Sequence, residues 1–192
     1  AGRLVQEDLC LMQRDDSAGI YRLVAAYLCF PSRWRLHEKL GHAVATIHDP
    51  TPHYAETLAT PMDRAFDKLK AERPVWRLNW SVVDDGTLFQ PTGHGRKEYE
   101  TDVTAENAGD KLWLRIERQT LRRLPQSNAI LFTIRVYSNP LHTLREQPEI
   151  AKCLASALSG LDEAMSDYKS LRPLLTPTLA WLDKVSSCGA HP

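Results

Sequence analysis

An α+β fold is predicted by three observations on this chain. Five segments carry the apolar alternation of strands, at residues 9–12, 20–30, 75–83, 112–121 and 129–137. Residues 32–69, between the second and third of these, carry short helical patterns, and the chain returns to helical spacing after Asn139-Pro140. The arrangement implied is an antiparallel sheet of about five strands, with helices inserted after the second strand to cover one face, a pocket between helices and sheet, and a helical C-terminal tail.

Composition is compatible with this. With 192 residues, 43% hydrophobic and 25% charged, the chain suits one globular domain with a sizeable core. Lys plus Arg and Asp plus Glu each number 24, so no surplus charge favours nucleic acid or an anionic membrane, and small molecules or proteins are the expected partners. No apolar run approaches the roughly 20 residues that span a bilayer, and the opening AGRLVQEDLCLMQRDD lacks the order of a signal peptide, so a cytoplasmic location is expected. Cys10, Cys29, Cys153 and Cys188 form no CxxC pair and are read as reduced and mostly buried.

Taken in order, Leu9 to Met12 lead through Asp15-Asp16-Ser17-Ala18-Gly19 into the run Ile20 to Phe30, which reads as a hairpin. In the second run Ile20, Val24, Ala26, Leu28 and Phe30 share one face, and Tyr21, Leu23, Ala25, Tyr27 and Cys29 the other. Both faces are apolar, which predicts a central strand covered on both sides. Ser32 is placed as the N-cap of a helix through Leu40 that stops at Gly41, with further turns over His42–Ile47. Thr60-Pro61-Met62-Asp63 reads as the start of a helix with Thr60 as cap and Met62, Ala65, Phe66 and Leu69 as its buried stripe.

Trp76, Leu78, Trp80 and Val82 then alternate with Arg77, Asn79 and Ser81, predicting a strand with a packed and a polar face. Residues 84–110 read as a long polar loop in which His94 is a solvated residue. Two strands follow, joined by Pro125-Gln126-Ser127-Asn128; Leu112, Leu114 and Ile116 oppose Trp113, Arg115, Glu117 and Gln119, and Ile130, Phe132, Ile134 and Val136 oppose Thr133, Arg135 and Tyr137. In the tail, Leu154, Ala157, Leu158 and Leu161 form a stripe, and Thr176-Pro177 is expected to open a last segment carrying Leu179, Trp181, Leu182 and Val185.

No nucleophile elbow, P-loop, dinucleotide fingerprint or zinc-protease motif is present. Two features remain. His48 stands at an element boundary, after Ile47 and before Asp49-Pro50-Thr51-Pro52, which a helix does not readily pass; a capping histidine and a metal ligand both fit such a position. Arg77, Asn79, Glu117, Gln119 and Arg135 fall on strand positions that share a side if registers allow, either as a solvated sheet face with cross-strand pairs or as a polar pocket wall. The tryptophans Trp34, Trp76, Trp80 and Trp113 are read as core or pocket lining.

Five segments in order, QEDLCLMQR, CFPSRWRLHEKLG, IHDPTP, RPVWRLNW and IERQTLRRLPQSNAILFTIRVYSNPL, resemble the haem-dependent oxidative N-demethylase-like family, over about Gln6 to Leu141. The resemblance implies a PAS-like fold, with residues 1–145 as a haem-binding domain and residues 146–192 as a C-terminal helical extension packed on it. It also implies haem b in an α subunit and oxygen-dependent demethylation of a small secondary amine such as dimethylamine. Electrons would come from a reductase partner bearing FMN, a 2Fe–2S centre and NADPH, since no cysteine cluster here could hold an iron–sulfur centre.

By the same resemblance His48 is the expected axial ligand, with Cys29, His37 and His42 as alternatives. Arg77, Asn79, Trp80, Arg118 and Arg135 are expected around the cofactor, and Glu117 as the catalytic partner of the ammonium-like substrate. Family members carry additional sequence before the QED segment, so a short relative or a fragment is expected, and a homo-oligomer is compatible with the pattern. A haem-based sensor without turnover is the competing class, because one fold hosts both; a non-haem interaction domain is the third.

Overall fold

The computed structural model describes residues 1–92 and 102–188; His94 lies outside the described residues. An antiparallel sheet of five strands runs in the order β2-β1-β5-β4-β3, with β1 Asp8–Asp15, β2 Ile20–Tyr27, β3 Val75–Val83, β4 Trp113–Arg123 and β5 Ile130–Pro140. Between β2 and β3 lie a 3-10 turn at Leu36–Glu38 and three helices, α1 Val44–Ile47, α2 Tyr54–Thr57 and α3 Ala59–Lys68. The α+β class, the five strands and the helical insertion after β2 are as expected.

The residues group into two compact units, the first made of Ala1–Asn79, Leu88–Gly93 and Ile116–Tyr137, the second of Trp80–Thr87, His94–Arg115 and Ser138–Pro192. In the first, the β1–β2 hairpin closes through Gly19, whose φ of 69° suits glycine and whose N–H donates to the Asp15 carbonyl at 2.8 Å. One sheet face packs on the inserted helices: Cys10, Met12, Tyr21, Leu23 and Ile130 form a core with Val44, Tyr54, Phe66 and Leu69. Pairing of Cys10 with Phe132 and Met12 with Ile130 sets that face, and Leu9 with Thr133 and Leu11 with Leu131 sets the opposite one.

The strand predicted to be central is an edge strand. A bulge opposite Leu11/Met12 makes Ala25 the partner of Leu11 and Leu23 the partner of Met12, so the side-chain phase shifts at Val24. Tyr21, Leu23 and Ala26 therefore share the covered side, and Val24 and Tyr27 are exposed. The free edge is partly closed by backbone bonds from Leu23 N–H to the His42 carbonyl at 3.0 Å and from Gly41 N–H to the Leu23 carbonyl at 2.7 Å. Buried Asp8 holds the chain leaving β2, its Oδ1 accepting from the N–H groups of Cys29 at 2.6 Å and Phe30 at 2.8 Å.

Other local expectations are corrected. Ser32 caps no helix; it bridges Gln90, and the helical turn begins only at Leu36. The turn ends at Glu38 with Lys39 as its C-cap, short of the expected Leu40, and Gly41 with φ 83° follows it. Thr60 lies inside α3, whose N-cap is Leu58, because a preceding turn at α2 already carries the chain into helix. Trp76 and Leu78, predicted to pack, are 68% and 55% exposed, whereas Val82 farther along β3 is buried. Of the cysteines, Cys10 is buried and Cys153 exposed, and Cys10, Cys29 and Cys153 are free thiols.

The second unit holds α4 Ala108–Lys111, within the predicted loop, and α5 Pro148–Ser159, α6 Glu163–Tyr168 and α7 Arg172–Cys188. Pro177 sits inside α7 rather than opening it. The stripe Leu174, Thr178, Trp181 and Leu182 is buried along α7, and that burial outweighs the lost hydrogen bond of one proline. Trp181 lies against Gly109 so closely that a Cβ there would come within 2.5 Å of its ring.

Candidate functional site

His48 forms the C-cap of α1. The short helix is anchored by Val44 in the core and cannot continue through the proline turn, so the imidazole is held against its own helix. Its Nδ1 lies 2.8 Å from the Val44 carbonyl. A carbonyl only accepts, so Nδ1 carries the proton and the lone pair of the neutral ring is on Nε2. Burial first, with the charges of Lys39 and Arg77, lowers the histidine pKa against the opposing pull of the Val44 hydrogen bond, which favours the neutral ring. An imidazole whose Nδ1–H is given to a backbone carbonyl is fixed in orientation and keeps its other nitrogen as a hydrogen-bond acceptor or lone-pair donor.

Tyr54, the first residue of α2, stacks on this ring at 4.6 Å between centroids with planes 11° apart. It is 4% exposed, and its hydroxyl is buried without a hydrogen-bond partner among the described residues. Lys39 donates from Nζ to the Ile47 carbonyl at 3.4 Å and lies 5.2 Å from the centre of the Trp34 ring. Sequence reasoning missed Lys39 and Tyr54; the available signal for Tyr54 was an aromatic residue placed directly after the proline turn.

From the sheet, Arg77 Nε donates to Gln119 Oε1 at 2.8 Å, Gln119 Nε2 to Glu117 Oε2 at 2.8 Å, and Asn79 Nδ2 to the same Glu117 oxygen at 3.3 Å. The expected convergence of β3 and β4 positions is thus present. The row lies on the helix-covered face, because Leu121 and Arg123, of the same parity on β4, pack on the first unit's core and bond to α3. Glu117 is held by two neutral amides and has no ion pair among the described residues.

Arg135 does not join this row, which corrects the expectation of a shared side. It follows Leu131 and Thr133 on β5, partners of Leu11 and Leu9, and so faces away from the helices; its guanidinium lies 5.4 Å from the Tyr137 ring. Arg118, on the other parity of β4, pairs with Glu7 at 3.0 Å. Trp80 belongs to the second unit, where Lys169 lies over its ring at 5.4 Å and donates to its carbonyl at 2.8 Å. Of the alternative ligands, His37 lies 4.0 Å from Glu38, the His42 carbonyl pairs with Leu23, and Cys29 is partly buried.

A family model described as haem-dependent oxidative N-demethylase, alpha subunit-like, matches residues 1–178. The chain belongs to this family. Membership gives the chain a haem-dependent context and an alpha-subunit-like context. Among the described residues no three His, Cys, Asp or Glu side chains cluster to hold a free metal ion. A haem iron, whose macrocycle supplies four nitrogens, needs one protein ligand, and a neutral imidazole with an open Nε2 beside an unpartnered buried hydroxyl suits it. No helix among the described residues is long and apolar enough to cross a membrane.

Proposed function

We propose that this chain is the haem-bearing subunit of an oxidative amine N-demethylase, with residues 1–145 as a PAS-like haem domain and residues 146–192 as its helical extension. The observation that carries the reading is the His48 geometry: a proton committed to Val44 and a lone pair on Nε2 in a ring held by stacking. The insertion of helices after two strands supports the PAS-like assignment. His48 would ligate haem b, and Arg77 would face its propionates from the same side of the sheet as Asn79. Arg118 and Arg135 face the other side of the sheet and take no part in holding the cofactor in this reading.

Haem when bound supplies the oxygen and electron chemistry by which a methyl group leaves a small secondary amine such as dimethylamine. The chain's own part is to hold and orient. Glu117, negatively charged and fixed by Asn79 and Gln119, binds the ammonium of the substrate and sets the position of its methyl group. His48 keeps its proton on Nδ1 throughout, which anchors the ring and leaves Nε2 as the donor. Electrons come from a reductase partner carrying FMN, a 2Fe–2S centre and NADPH.

The test is the visible spectrum of protein purified with adequate haem supply, beside that of His48→Ala, followed by formaldehyde release from dimethylamine with a reductant and O2. The expected result is a Soret band that His48→Ala weakens or shifts, with formaldehyde formed by the wild type. An unchanged spectrum in the variant removes His48 as ligand. Oxygen binding without formaldehyde leaves a sensor or binding module.

A further inference from the structure

We propose that Tyr54 is a further ligand-binding residue of this site, its ring setting the plane of the His48 imidazole and its buried hydroxyl donating a hydrogen bond to a carboxylate of the macrocycle beside Arg77. The inference rests on the haem reading above and names a residue that reading does not use.

The hydroxyl is the deciding feature. Buried polar groups are almost always paired, because the partner lost from water must be replaced. Tyr54 is 4% exposed and its oxygen has no partner in the chain among the described residues, although Tyr21, the other buried tyrosine of the same core, donates to Asp67 at 3.1 Å. A phenylalanine would fill the same core position without the orphaned atom. Among the described residues nothing accounts for the oxygen, which leaves it open to a bound group.

Position says what kind of group that is. The phenol ring lies parallel to the imidazole at 4.6 Å, so Tyr54 borders whatever the His48 Nε2 binds. Burial and then the Asp63 carboxylate raise the Tyr54 pKa, with Arg77 opposing them, and Arg77 acts on the His48 ring as well. Only its Nε is taken up, by Gln119, among the bonds seen in the described residues. A hydroxyl donor and a guanidinium with open N–H groups are both groups that bind a carboxylate. Haem b carries two such carboxylates, and they are the groups on its edge that accept strong hydrogen bonds.

The stacking has a separate consequence. His53, with φ 61°, and the Thr57 hydroxyl donating to its carbonyl at 2.5 Å fix the start of α2 and so hold the phenol ring against His48. One side of the imidazole is thereby closed to rotation.

The experiment is haem titration of the apoprotein followed at the Soret band, with wild type, Tyr54→Phe and Tyr54→Leu, using both haem and its dimethyl ester, in which the carboxylates are capped. Thermal unfolding of each apoprotein is recorded alongside. Tyr54→Phe is expected to bind haem about ten-fold more weakly, since one hydrogen bond to a charged group is lost. The same variant should bind the diester as the wild type does, and its apoprotein should unfold at an equal or higher temperature. Tyr54→Leu, which also removes the stack, should alter the spectrum of the bound haem.

Equal haem affinity in Tyr54→Phe and wild type overturns the inference and leaves the haem reading intact. Equal weakening toward haem and diester, or a lower apoprotein midpoint, also overturns it, since either marks a structural role. Absence of haem binding by the wild type overturns the haem reading and this inference together.

Discussion

Replacing Arg123 by alanine should release the C-terminal end of α3 from the sheet. The guanidinium donates from Nε to the Leu69 carbonyl at 2.6 Å and from Nη2 to the Phe66 carbonyl, and it also reaches the Asn128 carbonyl at 2.9 Å and the Tyr21 hydroxyl at 3.2 Å. Phe66 and Leu69 lie at the end of α3, where carbonyls run short of helical partners, the Phe66 carbonyl accepting the Leu69 N–H at 3.2 Å, and the dipole favours a cation. Two hydrogen bonds from a charged donor give about 3–6 kcal/mol gross. The side chain is only partly buried, so water recovers about half, and the dipole adds roughly 0.3–1 kcal/mol. The net expectation is a loss of about 3 kcal/mol. Arg123→Lys keeps the charge near the dipole but reaches at most one carbonyl, so it should lose about half as much. Urea unfolding at unchanged m-value reads these differences, and amide exchange should show α3 opening first. A loss below about 1 kcal/mol for Arg123→Ala, or equal losses for lysine and alanine, would refute the capping argument.

Three further outcomes are expected. Glu117→Gln, which keeps shape and amide contacts but removes the charge, should raise the KM for a secondary amine by about ten-fold while leaving the Soret band in place; an unchanged KM would remove the ammonium role. Gly109→Ala should destabilise by about 1–3 kcal/mol, because a Cβ would press on the Trp181 ring, and Trp near-ultraviolet dichroism should change with it. Cys10, whose thiol is pushed up to about 12 first by burial and then by Asp8, should resist alkylation at pH 8 in the folded protein while Cys153 reacts. Because that pKa is raised above its ordinary value of 9.0, the associated stability is fully present below pH 9 and is lost as pH rises toward 12, which alkaline unfolding of Cys10→Ala beside wild type can measure.

The elements legible in sequence were those with unbroken period. Residues 75–83 and 112–121 alternate cleanly and match β3 and nearly all of β4, and the hairpin turn over Asp15–Gly19 announced itself by composition. The failures share a cause in non-local structure. Strand β2 alternates in sequence, but its bulge changes phase at Val24, and only pairing with β1 reveals it. Trp76 and Leu78 follow a core pattern on a strand that lies at the sheet edge, so period alone could not say that their side is bare. Pro177 reads as a helix start, yet burial of Leu174 and Thr178 carries the helix through it.

The site was partly legible for the same reasons. His48 was marked by the proline turn, and Asn79 and Glu117 by alternation on separate strands. Arg135 was misplaced because the phase of β5 in the sheet is set by its pairing with β1, which its own alternation does not reveal. Lys39 and Tyr54 sit in turns too short to have a period, where neighbours in space are set by loop path.

The backbone pairing of Gly41 to Ala43 with the free edge of β2 also serves as a ruler. The antiparallel bridge of Ala43 with Arg22 fixes the starting height of the chain, Ala43 is the N-cap of α1, and His48 is its C-cap. The imidazole is thus measured off from the sheet by five peptide units, with Val44 seated in the core between them. One residue inserted between Ala43 and His48 would turn the ring by about 100° and shift it by about 1.5 Å along the helix. Outside Val44 and His48 the segment should accept many substitutions in sequence and almost none in length.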